Sequence, residues 1–138
     1  MEEEIIEIDH TADIGFIVRA KSLDNLIEKS SLLLSSTMID LNSVEIKEKK
    51  NIEIKIEDES LIIIDVLREL LYFFETEGFI WKDIKVFTKN RKVFLELKGE
   101  KFESKKHKLK KDVKAITYHD YYLVKKGNFY ETRFIFDV

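Results

Sequence analysis

Ser60-Leu61-Ile62-Ile63-Ile64-Asp65-Val66-Leu67-Arg68-Glu69-Leu70-Leu71-Tyr72-Phe73-Phe74-Glu75-Thr76-Glu77-Gly78 is the stretch on which the fold turns. Taken alone, the isoleucines at 62–64 suit a buried strand. Their continuation, Val66, Leu67, Leu70, Leu71 and Phe74, repeats at three- and four-residue intervals and is too long for a strand. The segment therefore predicts a helix from about Ser60 to Glu77. Asp58 and Glu59 put negative charge at its N-terminus, and Gly78 can stop it. Because it is apolar on nearly every side, it is expected to be well buried.

Toward the N-terminus, Asn51–Ile56 alternates as a strand. Leu23, Leu26, Ile27, Leu33, Leu34 and Met38 share one helical face, with Ser22 as a cap and an end near Met38. Residues 4–8 and 14–20 read as two strands around Asp9-His10-Thr11-Ala12-Asp13. Toward the C-terminus, Ile84–Thr88 and Lys92–Lys98 form a hairpin turning near Lys89-Asn90. A polar, basic stretch runs from Gly99 to Lys114. A second hairpin joins Tyr121–Lys125 to Phe129–Phe136 through Gly127-Asn128. Strands joined by tight turns imply a largely antiparallel sheet. The expected fold class is α+β, a two-layer sandwich with two helices packed on one face of that sheet.

The 138 residues are 44% hydrophobic, enough for a real core, and contain no cysteine. That excludes thiolate nucleophiles, cysteine zinc sites and disulfides. No proline-rich linker or repeat divides the chain, so one domain over 1–138 is expected. Met1-Glu2-Glu3-Glu4 is the opposite of a secretory signal. The longest apolar run, Leu61–Phe74, is broken by Asp65, Arg68 and Glu69 and is too short for a bilayer span. A cytoplasmic location without membrane contact is expected. Net charge is −3. It is unevenly spread: residues 101–114 hold seven lysines against Glu103 and Asp112, a local +5 on a body of −8. Such an asymmetry points to a basic lobe for an anionic partner.

Three places could carry chemistry. Asp9–Gly15 is dense in polar groups between two strands, where Asp and Thr can simply bond the local backbone or Asp13 can hold a cation or a phosphate-bearing partner. At the far end Asp137 precedes Val138, whose α-carboxylate lies one residue away, an oxygen-rich pair of the kind hard cations prefer. Lys114-Ala115-Ile116-Thr117-Tyr118-His119 and Lys106-His107 bring cations, hydroxyls and imidazoles. The spacing of His10, His107 and His119 fits no zinc motif. No Gly-rich phosphate loop, serine elbow or His-Glu-x-x-His is present.

Together these residues resemble the archease family, in order and over nearly the whole chain. The resemblance rests on Asp9-His10-Thr11-Ala12-Asp13-Ile14-Gly15, Met38-Ile39-Asp40, Leu67-Arg68-Glu69-Leu70-Leu71-Tyr72, Gly99-Glu100, His107, Lys114–His119 and the closing Asp137-Val138. The chain departs from the family at Ala20, where a glycine is frequent, at Ile27, where an aromatic is, and in its lysine-rich 101–106.

The resemblance implies an accessory protein, not an enzyme. Archeases assist the RtcB-type RNA ligase of tRNA splicing and RNA repair, promoting its guanylylation and multiple turnover. It also implies a divalent metal, Ca²⁺ first with Mg²⁺ and Mn²⁺ as alternatives, held by Asp13, Asp137 and the Val138 carboxylate, with Asp40 as a secondary ligand. A contact set of His10, Lys106, His107, Lys114, Thr117 and His119 would face the ligase, with indirect contact to guanine nucleotide and tRNA or other RNA ends. The alternative is a chaperone-like modulator of RNA-modifying enzymes. A metal-dependent enzyme acting on RNA ends is the third reading, and it lacks a general base with an orienting partner.

Overall fold

The computed structural model describes residues 4–10 and 13–138, with the side chains of 8–10 left aside. Thr11 and Ala12 of the first motif, and the side chains of Asp9 and His10, lie outside the described residues. The chain runs β1 (Ile5–His10), β2 (Asp13–Ala20), α1 (Leu23–Met38), β3 (Glu48–Lys55), α2 (Ile62–Glu77), β4 (Phe79–Lys89), β5 (Lys92–Lys101), β6 (Ala115–Lys126) and β7 (Phe129–Asp137). The class is α+β, as expected, and every described strand pair is antiparallel.

The sheet is divided. Four strands in the order β1-β2-β7-β6 form one sheet and three in the order β3-β5-β4 the other. One cluster of buried apolar side chains, among them Phe16, Leu26, Leu67, Trp81, Leu95 and Phe136, joins both sheets to both helices.

Each helix follows from its local chemistry. The Ser22 hydroxyl accepts from Asn25 N at 3.1 Å and opens α1. Asp58 Oδ1 accepts from Ser60 N at 3.0 Å and shapes a 3₁₀ turn at Glu59–Leu61 that feeds α2. Gly78 closes α2 at φ +63°, a left-handed conformation that glycine takes without a Cβ penalty. α2 buries Ile62, Ile63, Ile64, Val66, Leu67, Leu70 and Leu71, but Arg68, Glu69 and Tyr72 face outward. It is amphipathic, and the expectation of burial on nearly every side is corrected. In α1 the buried face includes Ser30, Ser31 and Ser35, while Leu33 is only partly covered. α1 packs on β4, and Trp81 Nε1 donates to the Ser31 carbonyl at 2.9 Å.

Strand ends differ most from expectation. β4 begins at Phe79, five residues before the expected Ile84, because Phe79, Ile80 and Trp81 are buried at the head of the strand before an irregularity at Trp81/Asp83 breaks the alternation. At that place Gly99 is required: a Cβ there would sit 1.9 Å from the Ile80 carbonyl oxygen. β6 starts at Ala115, not Tyr121. The β4–β5 turn, Asn90-Arg91, has both residues at positive φ, as two-residue hairpin turns demand.

Candidate functional site

The four-stranded sheet lines up residues far apart in sequence. In its register His10 pairs with Asp13, Asp13 with Asp137, and Asp137 with Ala115. One cross-strand row at one end of the sheet therefore contains the end of β1, the start of β2, the end of β7 and the start of β6. Lys114 N donates to the Asp137 carbonyl at 2.7 Å, which ties β7 to the basic segment. Val138 packs its side chain against the core. Strand order thus extends to Asp137, behind the buried Phe134, Ile135 and Phe136.

Asp13 and Asp137 are half-buried. Directly paired residues have Cβ atoms about 5 Å apart, so two carboxylates there repel unless a cation sits between them. Among the described residues no ion pair reaches either carboxylate. The donors at this row are hard oxygens, which fit Ca²⁺ or Mg²⁺ better than a softer metal. Asp40 does not join them. Its Oδ1 accepts from Asn42 N at 3.0 Å as the cap of a 3₁₀ turn. Among the described residues no group of three His, Cys, Asp or Glu side chains is placed to hold a metal. A full coordination shell would need main-chain or water oxygens beside the aspartate pair.

Beyond Ala115, β6 leaves its partner. Thr117 pairs with Ile135 and Tyr122 with Arg133, so four residues on β6 face one on β7. The resulting bulge carries Tyr118, His119 and Asp120, with Asp120 at φ +54°. Thr117 Oγ1 accepts from His119 N at 2.8 Å and pins the start of the bulge. Arg68 of α2 supports it from below: its guanidinium lies 4.1 Å from the Tyr118 ring centroid and donates to the Ile116 carbonyl at 2.9 Å. The His119 side chain is 76% exposed and 3.3 Å from Asp120. Sequence reasoning misses the bulge, because a single Asp120 among strand-forming residues, with no glycine or proline beside it, is too weak a turn signal. It also misses the role of Arg68, which stands out in the sequence only as part of a motif.

Lys106 and His107 are placed differently from expectation. His107 is only 3% exposed, so it does not present its imidazole on a contact surface, and that expectation is corrected. Its Nδ1 accepts from Glu103 N at 2.9 Å, which leaves the Nε2 proton to donate to Glu100 Oε2 at 3.0 Å. The ring stacks on Phe102. Lys106 Nζ donates to Glu100 and Glu45 at 2.8 Å each, so it is a bridging cation with no free charge to offer. Glu100, 4% exposed, is the centre of this cluster and also accepts from Glu45 N at 2.6 Å. Burial pushes its carboxyl up, but the bonds from Lys106, Glu45 N and His107 outweigh that and bring it down to about 2. The same two acids raise the Lys106 ammonium.

The cations left for a partner are Lys101, Lys105, Lys108, Lys110, Lys111 and Lys114, all exposed. Their segment is held to the end of α1 by Asp40 N donating to the Lys108 carbonyl and Lys110 N to the Met38 carbonyl.

The arrangement defines a class first: a small α+β protein of two antiparallel sheets, with a paired-carboxylate row at one sheet end and a basic strap beside it. The family model described as the Archease protein family (MTH1598/TM1083) matches residues 6–138. The chain belongs to the archease family. A protein archease of Pyrococcus abyssi is 36% identical over 116 residues, covering 81% of this chain and 82% of that protein. One of Sulfurisphaera tokodaii is 31% identical over 132 residues, covering 94% and 95%. The solution structure of Methanobacterium thermoautotrophicum protein 1598 superposes with a TM-score of 0.78 at 28% identity, over 97% of this chain and 98% of that one. The crystal structure of a Thermotoga maritima archease, described as a possible chaperone, has the same fold, with a TM-score of 0.70 at 20% identity over 95% and 94%. Among the described residues no helix is long and apolar enough to cross a membrane.

Proposed function

We propose that this chain is a metal-binding accessory protein that activates an RtcB-type RNA ligase in tRNA splicing and RNA repair, promoting guanylylation and multiple turnover. It acts in the cytoplasm, without membrane contact, and is not itself an enzyme. The observation that carries the reading is the cross-strand pairing of Asp13 with Asp137 at a sheet end where Val138 and Lys114 also sit. Family membership supports the ligase as partner.

Asp13, Asp137 and the Val138 carboxylate would hold the ion, Ca²⁺ first, with Mg²⁺ or Mn²⁺ as alternatives. A bound cation would neutralise the pair and lock the ends of β2 and β7. Lys114, on the strap, and His119, thrown out by the bulge beside Asp120, are exposed toward phosphates in the ligase's active centre, with Thr117 fixing the bulge and His10 at the end of the same row. Lys106 and His107 act one step back, by holding the strap's root to Glu100. Contact with guanine nucleotide and RNA ends is made through the ligase.

The test is guanylylation of the purified ligase by GTP, with and without this protein, followed over several turnovers. Stimulation that Asp13→Asn removes supports the reading, and a ligase indifferent to the protein ends it. A second reading, a chaperone-like modulator of RNA-modifying enzymes, is favoured by large apolar side chains at the surface, Ile46, Tyr72 and Leu109 among them. It expects suppression of client aggregation with no change in ligase turnover.

A further inference from the structure

On the outer face of the three-stranded sheet Glu96 lies 3.8 Å from Lys49 and 4.0 Å from Lys98, but one row has no such balance. The register places Lys55, Lys92 and Lys89 side by side, then Glu53, Phe94 and Phe87, then Asn51, Glu96 and Lys85, then Lys49, Lys98 and Asp83. Like charges directly opposite one another on a sheet are unfavourable. Yet the first row is three lysines, and among the described residues only Lys92 has a carboxylate within reach, Glu53 at 3.7 Å. The four rows together hold six lysines against three acids, on a chain whose net charge is −3. Beside the lysine row, Phe87 is 56% and Phe94 37% exposed, their ring centroids 6.1 Å apart. They line a groove of about 530 Å³ with Asn51, Glu53, Lys85 and Glu96.

We propose that this face binds a short segment of single-stranded nucleic acid, with bases stacked on Phe87 and Phe94 and phosphates on Lys55, Lys89 and Lys92. The occupant follows from the chemistry. Adjacent rows lie about 6.8 Å apart along a strand, two residues' rise. A base on a phenyl ring therefore leaves its phosphate within reach of a lysine in the next row. An apolar protein partner would use the rings but waste the lysine row, and a duplex would offer the phosphates but hide its base faces. The acidic remainder of the molecule limits the contact to a short segment. The inference concerns the other sheet from the carboxylate row and requires no ligase, so it stands or falls apart from the proposed function.

The experiment is fluorescence anisotropy of a short fluorescein-labelled oligouridylate titrated with the full chain. The expected result is salt-dependent binding that Phe87→Ala or Phe94→Ala weakens by roughly 5- to 150-fold, the usual effect of removing one stacking ring. Phe94→Leu, which keeps the bulk and loses the ring, should weaken it as well. Lys89→Gln with Lys92→Gln should flatten the slope of log affinity against log salt by roughly 1.4, about 0.7 for each single-strand phosphate that is no longer neutralised. Circular dichroism checks that each variant is folded, which surface positions permit. The proposal is overturned if the oligomer does not bind, or if the ring variants bind it as the parent does. It is equally overturned if the face instead associates with phosphatidylserine vesicles or drives a concentration-dependent dimer that Phe87→Ala abolishes.

Discussion

Replacing Glu100 by Gln keeps the shape of the side chain and removes its charge, and the consequence follows from its three donors. Lys106 Nζ reaches Oε1, while Glu45 N and the His107 Nε2–H both reach Oε2. A glutamine can direct its oxygen to only one side. Turned toward Glu45 N and His107, its amide faces the Lys106 ammonium, donor against donor. Turned the other way, it meets two donors at once. The first arrangement loses one charge-assisted bond on a carboxylate that is itself buried, which costs about 1.5–3 kcal/mol. The depressed carboxyl points the same way: the bonds from Lys106, Glu45 N and His107 favour its ionised form in the folded chain. Because the folded value lies below the unfolded one, this stability is complete above pH 4.5 and drains away as pH falls toward 2. Urea unfolding at pH 7 should therefore show Glu100→Gln less stable by about 2–3 kcal/mol with an unchanged m-value, and by about half that or less at pH 3. A loss below about 0.5 kcal/mol at pH 7, or a difference that stays constant down to pH 3, would refute an ionised Glu100 at the centre of the cluster.

Three further outcomes are expected. Ca²⁺ should raise the melting temperature of the parent by mass action, and Asp13→Ala or Asp137→Asn should abolish the rise; a rise that persists in both variants removes the metal from this row. Leu67→Ala, at a fully buried position of α2, should cost roughly 2–5 kcal/mol in chemical unfolding, whereas a loss of a few tenths would misplace the core. Lys108→Ala combined with Lys114→Ala should leave folding intact, since both side chains are exposed, but slow ligase guanylylation; full stimulation by that variant makes the strap a solvated face.

The amino-acid sequence by itself was enough for the elements that local chemistry dictates. The three- and four-residue apolar spacing from Ile62 to Leu71, with a glycine after Glu77, defines α2 because a helix presents one face every 3.6 residues. Gly127-Asn128 marks the last hairpin because a tight turn needs a residue that tolerates positive φ. Resemblance joined Asp13 and Asp137 in one expected metal site, but without the strand pairing that would bring them together. That they stand opposite each other is a matter of strand order and register, set by which apolar faces meet in the core and invisible in either segment alone. Tertiary structure likewise decided the fate of Lys106 and His107. Their neighbours in sequence are lysines, which suggested a charged surface, but the carboxylate that draws them inward, Glu100, belongs to the end of β5. Dividing the strands into two sheets, raising the bulge at Tyr118–Asp120 over Arg68, and stacking three lysines in one row beside two phenylalanines all depend on pairings between distant residues. Local propensity is silent about such pairings, because their energy exists only once the strands are side by side.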